Sequence, residues 1–157
     1  MQQRMRIPFH AEIPSCSFVL GECDLGEFFN ILINEGGSTL LLDVSHIFSY
    51  ALATERSATN VLYSMPLESV QEIHVAGGRI SKLDARRYID SHSDPVMPEV
   101  LNLLCLSIQL CPNLRAITYE IGSNIELDAI AENFGILEKA ITSTSWVPRL
   151  NMAVKLP

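Results

Sequence analysis

The chain has 157 residues, of which 48% are hydrophobic and 18% charged, with eight glycines and eight prolines. That suits one modest domain spanning residues 1–157 and excludes a disordered tail, a collagen-like repeat and a highly charged coiled coil. Eleven Lys and Arg against eighteen Asp and Glu leave a formal charge of −7 with no compensating basic cluster, so broad contact with nucleic-acid phosphates is disfavoured.

In chain order, residues 1–8 carry Arg4 and Arg6 but no apolar h-region follows them. No secretory signal is expected, and the default compartment is the cytoplasm. Residues 5–13 are bulky and end at Pro14, which predicts a buried strand followed by a loop. Asp24 can cap a helix whose apolar positions Leu25, Phe28, Phe29, Leu32 and Ile33 recur at helical spacing, with Gly36 and Gly37 ending it. Residues 39–44 form a continuous apolar strand of the kind found in parallel sheets. A polar, loosely helical segment is expected over 47–64, then a strand over 70–76 closed by Gly77 and Gly78. Residues 98–110 read as a second strong helix, 115–121 as a strand, and 125–144 as a final helix with Ser123 or Asn124 as its cap.

Alternating strands and helices argue for parallel βα units, in either a doubly wound sheet or part of a (β/α) barrel. The longest apolar runs, 39–42 and 100–106, fall far short of the roughly 20 residues that span a membrane. Cys16, Cys23, Cys105 and Cys111 lack a CxxC spacing and read as buried free thiols.

The chemistry lies at the strand ends. Glu12, Asp43 with His46, His74 and Glu120 each stand at or near the end of a predicted strand. The carboxyl ends of parallel strands form the active face of barrels and open sheets, so four separate segments would deliver ligands to one place. Asp90 and His92 add a fifth contribution, their i, i+2 spacing placing both side chains on one side of an extended chain. Carboxylates directly after runs such as Leu40, Leu41 and Leu42 are costly to desolvate without a cation. Imidazole and carboxylate without thiolate suit iron, manganese or zinc, and sets of two histidines and one carboxylate typify non-haem iron. His10, two residues before Glu12, is read as support for the ligands, and Ser45 as a polar neighbour, since no nucleophile elbow surrounds it.

The blocks LLLDVSH (40–46), EIHVAG (72–77), YIDSHSDPV (88–96) and ITYE (117–120), in this order, resemble the multinuclear non-haem iron oxidative enzymes typified by the methanobactin biosynthesis enzyme. The similarity runs from about residue 6 to residue 140, and the DSHSDP block is its most specific part. The resemblance implies a TIM barrel like that of xylose isomerase, of which this chain would be the C-terminal half, with four parallel βα units. It also implies two or three iron ions, zinc or manganese being alternatives, and oxidation of cysteine residues in a peptide precursor that a separate partner protein presents. Glu12 would bridge two metals; Asp43, His74 and Glu120 would complete the second shell; His46, Asp90 and His92 would hold the third. Endonucleases of the endonuclease IV type share the ligand order more distantly and use zinc.

A full barrel takes about 250 residues. The half that is not apparent carries, in the family, two further histidines for the first metal. Ile13 stands where the family usually has Asn, and Gly78 where a second His is common. A half barrel leaves strand edges that invite pairing with an N-terminal half-barrel chain or with a second copy. The resemblance therefore points to an oxidase fragment modifying peptide cysteines, inactive by itself, against a zinc phosphodiesterase or a non-catalytic metal-binding subunit.

Overall fold

The computed structural model describes residues 9–15, 23–123 and 125–145. The order is β1 (His10–Glu12), α1 (Leu25–Gly36), β2 (Thr39–Asp43), α2 (Val44–Ala53), α3 (Ala58–Ser64), a 3-10 turn (Leu67–Ser69), β3 (Val70–Ala76), β4 (Gly78–Ile80), β5 (Tyr88–Asp90), α4 (Pro98–Leu110), β6 (Ala116–Glu120) and α5 (Leu127–Ser143). Four strands form one parallel sheet in the order β1-β2-β3-β6, and β4 pairs with β5 in a separate antiparallel hairpin.

Alternation along the strands sorts the two faces of the sheet. Leu40, Leu42, Val70, Ile73 and Val75 are fully buried and join one core with Phe29 and Ile33 of α1, Val44 and Ile47 of α2, Val61 and Leu62 of α3, and Val100 and Leu104 of α4. The opposite set, which includes His10, Glu12, Thr39, Asp43, Glu72, His74, Thr118 and Glu120, is mostly polar. Helices on one face and a polar opposite face are compatible with part of a barrel. Among the described residues, no helix is long and apolar enough to cross a membrane.

Local chemistry accounts for the first helix. Asp24 accepts from the backbone N–H of Gly26 and Glu27, and Gly37 takes the left-handed conformation (φ 64°) that ends α1. The polar, loosely helical segment expected over 47–64 is instead two helices, and the first begins at once after β2, with residues 44–51 all buried. Asp43 makes this abrupt turn possible by ending the strand and capping the helix, accepting from Ser45 N at 2.7 Å and His46 N at 2.9 Å.

The extended connection expected around Asp90 and His92 is also corrected. Asp90 ends β5, and His92 lies in the left-handed region (φ 56°). At the start of α5 the helix begins at Leu127 after Glu126, so Ser123 is not its cap. Asn124, residues 5–8 of the first predicted strand and Cys16 lie outside the described residues. Cys23, Cys105 and Cys111 are free thiols, with only Cys111 fully buried.

Candidate metal centre

The C-terminal ends of the four parallel strands meet at one place. One ligand-capable atom each from Glu12 (β1), Asp43 (β2), His74 (β3) and Glu120 (β6) lies within 4.8 Å of the others. His46, at the first turn of α2, and Asp90 and His92, from the hairpin, close the group into a continuous network. His46 Nε2 lies 2.9 Å from Asp90 Oδ2, and His92 Nε2 lies 3.2 Å from the same oxygen and 3.3 Å from Glu120 Oε2. Glu120 Oε1 in turn lies 2.7 Å from His74 Nδ1. All seven side chains singled out in the sequence are brought together. His10 is not among them: it contacts Thr39 Oγ1 at 2.5 Å, lower on the sheet.

Each side chain is set by its element. The His46 ring is fixed from behind by the Ile13 carbonyl, 2.6 Å from Nδ1. Ser45 Oγ donates to the Ala76 carbonyl and accepts from the Ala76 N–H, tying the start of α2 to the end of β3. The hairpin is drawn tightly against β3: His92 N donates to the Gly77 carbonyl, and a Cβ on Gly77 would lie 1.7 Å from the Asp94 carbonyl oxygen. Ser91 Oγ, which accepts from the Asp94 N–H, also lies 2.6 Å from Asp94 Oδ2, and Arg79 pairs with that carboxylate. The DSHSDP block thus folds on itself, and the hydroxyl of Ser91 and the charge of Asp94 hold the turn that presents His92.

Electrostatics mark the centre as undercompensated. Asp43 is fully buried, and its Oδ2 has no hydrogen-bond partner; Asp90 Oδ1 is likewise buried and unpartnered. Burial pushes the Asp43 carboxyl up to about 6, against the pull of His46. Burial lowers the His46 pKa, but the bond to Asp90, the Asp43 charge and the Ile13 carbonyl outweigh it and lift that pKa to about 9. For Asp90 the effect of burial is overcome by the bond to His46 and the charges of His46 and His92, which hold its carboxyl below the usual range. Four carboxylates share one pocket with three imidazoles. Two buried acceptor atoms without a donor, surrounded by nitrogen and oxygen ligands, fit a cation at this place.

The residue that sequence reasoning missed is Glu72. It lies two positions before His74 on the same strand face, with Oε1 3.2 Å from His74 Nε2, and it accepts from Thr118 Oγ1 at 2.6 Å. The i−2 spacing on a strand was the available signal.

The family model described as RiPP precursor modification enzyme MbnB/TglH/ChrH matches residues 1–140. The UPF0276 protein RB0508 of Rhizobium meliloti (strain 1021) is 29% identical over 143 residues, covering 88% of this chain and 44% of that protein. A UPF0276 protein of Paraburkholderia phytofirmans is 35% identical over 104 residues, 61% of this chain and 34% of its own length. The UPF0276 protein VP3015 of Vibrio parahaemolyticus is 38% identical over 65 residues, 41% of this chain and 23% of its own. The chain therefore spans less than half the length of these relatives. With a match over most of its length and a candidate metal-binding group at the strand ends, the chain belongs to the MbnB/TglH/ChrH family of RiPP precursor modification enzymes.

Proposed function

We propose that this chain forms the C-terminal half of a TIM-barrel oxidase that holds iron and modifies cysteine residues of a ribosomal peptide precursor, with dioxygen as the oxidant. The observation that carries the reading is the convergence of Glu12, Asp43, His74 and Glu120, one ligand atom of each within 4.8 Å of the others, together with a buried Asp43 Oδ2 that has no hydrogen bond and only a 3.7 Å ion-pair contact with His46 Nε2. Leaving such an oxygen uncompensated costs several kcal/mol, on the order of the penalty for an unpaired buried charge, and a cation removes it.

In this reading Glu12, Asp43, His74 and Glu120 would hold one ion, and His46, Asp90 and His92 would hold another. When bound, the ions would supply a positively charged seat for a cysteine thiolate and electrons for the reduction of dioxygen. The chain's own residues fix the geometry. Asp43 is anchored at Oδ1 by two backbone N–H groups, so that Oδ2 keeps one direction. His46 is braced by the Ile13 carbonyl. Glu12, whose side chain is 45% exposed, stands at the rim, where a peptide would approach. The −7 charge weighs against a zinc phosphodiesterase acting on DNA.

The test is an oxygen-electrode assay on the iron-loaded chain with cysteine-containing precursor peptide and its presenting partner, alone and supplemented with an N-terminal half-barrel taken from a longer relative. Dioxygen uptake coupled to a mass change on cysteine, appearing with the second half, is the expected result. Iron bound without dioxygen uptake in any combination would instead leave a metal-binding subunit without catalysis.

A further inference from the structure

His74 stands between two carboxylates, with Nδ1 2.7 Å from Glu120 Oε1 and Nε2 3.2 Å from Glu72 Oε1. A ring that binds a metal keeps a single N–H, so it can donate to only one of them and must offer its other nitrogen to the ion. The surroundings say on which side. Nδ1 faces Glu120, which belongs with Glu12, Asp43 and His74 itself to the group of mutually close ligand residues. Beyond Nε2 lies one carboxylate whose near oxygen already accepts from the Thr118 hydroxyl at 2.6 Å. That oxygen is oriented as an acceptor, and the ring N–H is the donor it faces. Strand register builds the clamp: Glu72 and His74 share a face of β3, and Thr118 is the β6 residue paired with His74.

Resting on the metal-centre reading above, we propose that Glu72 is a positioning residue. It accepts the Nε2–H of His74, fixes the tautomer that leaves Nδ1 free for a metal ion, and raises the basicity of that nitrogen, while Thr118 holds Glu72 in place. Glu72 itself is not a ligand. It lies outside the group of four mutually close ligand atoms, on the far side of the ring. Carboxylate partners of metal-bound histidines act in this way in other metal sites, and their loss typically weakens metal affinity about 10- to 100-fold.

Zinc, being diamagnetic, is the probe for the test. Zinc affinity is measured for the full chain and for E72A, E72Q, T118V and H74A, with folding checked by circular dichroism, and the His74 ring is observed by ¹⁵N NMR in the zinc-loaded chain. E72A is expected to weaken zinc binding about 10- to 100-fold, with E72Q and T118V in between because each keeps part of the clamp. The ¹⁵N shifts should show Nε2 protonated and Nδ1 metal-bound. If E72A fails to fold, E72Q and the ring shifts carry the test. Undiminished zinc affinity in E72A beside its loss in H74A would overturn the role of Glu72 and leave the metal centre standing. A proton on Nδ1 with zinc on Nε2, or E72Q as damaging as H74A, would overturn it too, the latter by making Glu72 a ligand. Unchanged affinity in H74A as well would overturn the metal-centre reading itself.

Discussion

Asp43 carries three duties in one side chain. It ends β2, caps α2 through Oδ1, and has a buried Oδ2 without a hydrogen bond. Its ionisation in the fold, at about 6 against an ordinary 3.8, means that the folded chain without metal holds a proton that the unfolded chain releases earlier. The stability this confers is complete below pH 3.8 and is lost as pH rises through 6. His46, raised to about 9 from 6.5, acts in the same direction one step higher: its contribution is complete below 6.5 and lost through 9. Asp90 acts oppositely, but only below the ordinary aspartate range. Thermal melts of metal-free protein should therefore show stability falling between pH 4 and pH 9, by up to about 6 kcal/mol if the two contributions add. D43N keeps the capping oxygen and removes the buried charge, so it should flatten the limb between pH 4 and 6 and abolish stabilisation by added metal. A wild-type melting temperature that stays level across this range would contradict the account of an undercompensated centre.

At the scale of elements, the hairpin β4–β5 and the turn after it place Asp90 and His92. The critical contact is backbone on backbone, Gly77 against the Asp94 carbonyl, where a Cβ would come within 1.7 Å of the oxygen. Neither chain can yield cheaply, since Asp94 is held by Ser91 and Arg79. G77A should cost roughly 3 kcal/mol in urea unfolding and displace His92; a loss within a few tenths of a kcal/mol would show that the turn is not pinned there. Elements differed in how plainly the sequence announced them. Helix α1 was legible because its cap Asp24, its apolar spacing and the stop at Gly37 agree, and β2 and β3 because buried parallel strands read as apolar runs. The hairpin was hidden because each strand has only three residues, and Arg79 and Ile80 are exposed. Helix α2 was hidden because its N-cap looked like a ligand at the end of a strand, and it is both. The seven candidate site residues were legible by their position at strand ends and in the DSHSDP block, whereas for Glu72 the only signal was its i−2 spacing from His74, which a surface carboxylate on the same strand face would share.

For the whole molecule, the strand order β1-β2-β3-β6 leaves β1 and β6 each with one neighbour among the described residues. The sheet face opposite the helices carries the polar set that converges on the centre. Strand edges of this kind pair with another chain unless something covers them. Light scattering of the isolated chain should give a mass above the 17.4 kDa of one copy; a stable monomer that retains its metal would show that the edges need no partner. In the proposed function the strand ends of this chain meet around a metal. Elemental analysis of anaerobically purified protein tests it most directly, comparing the native chain with H74A and D90A after circular dichroism has confirmed that both fold. Bound iron is expected in the native chain, with its loss or marked reduction in each variant; metal-free native protein, or metal content unchanged by both substitutions, would rule out a shared metal centre.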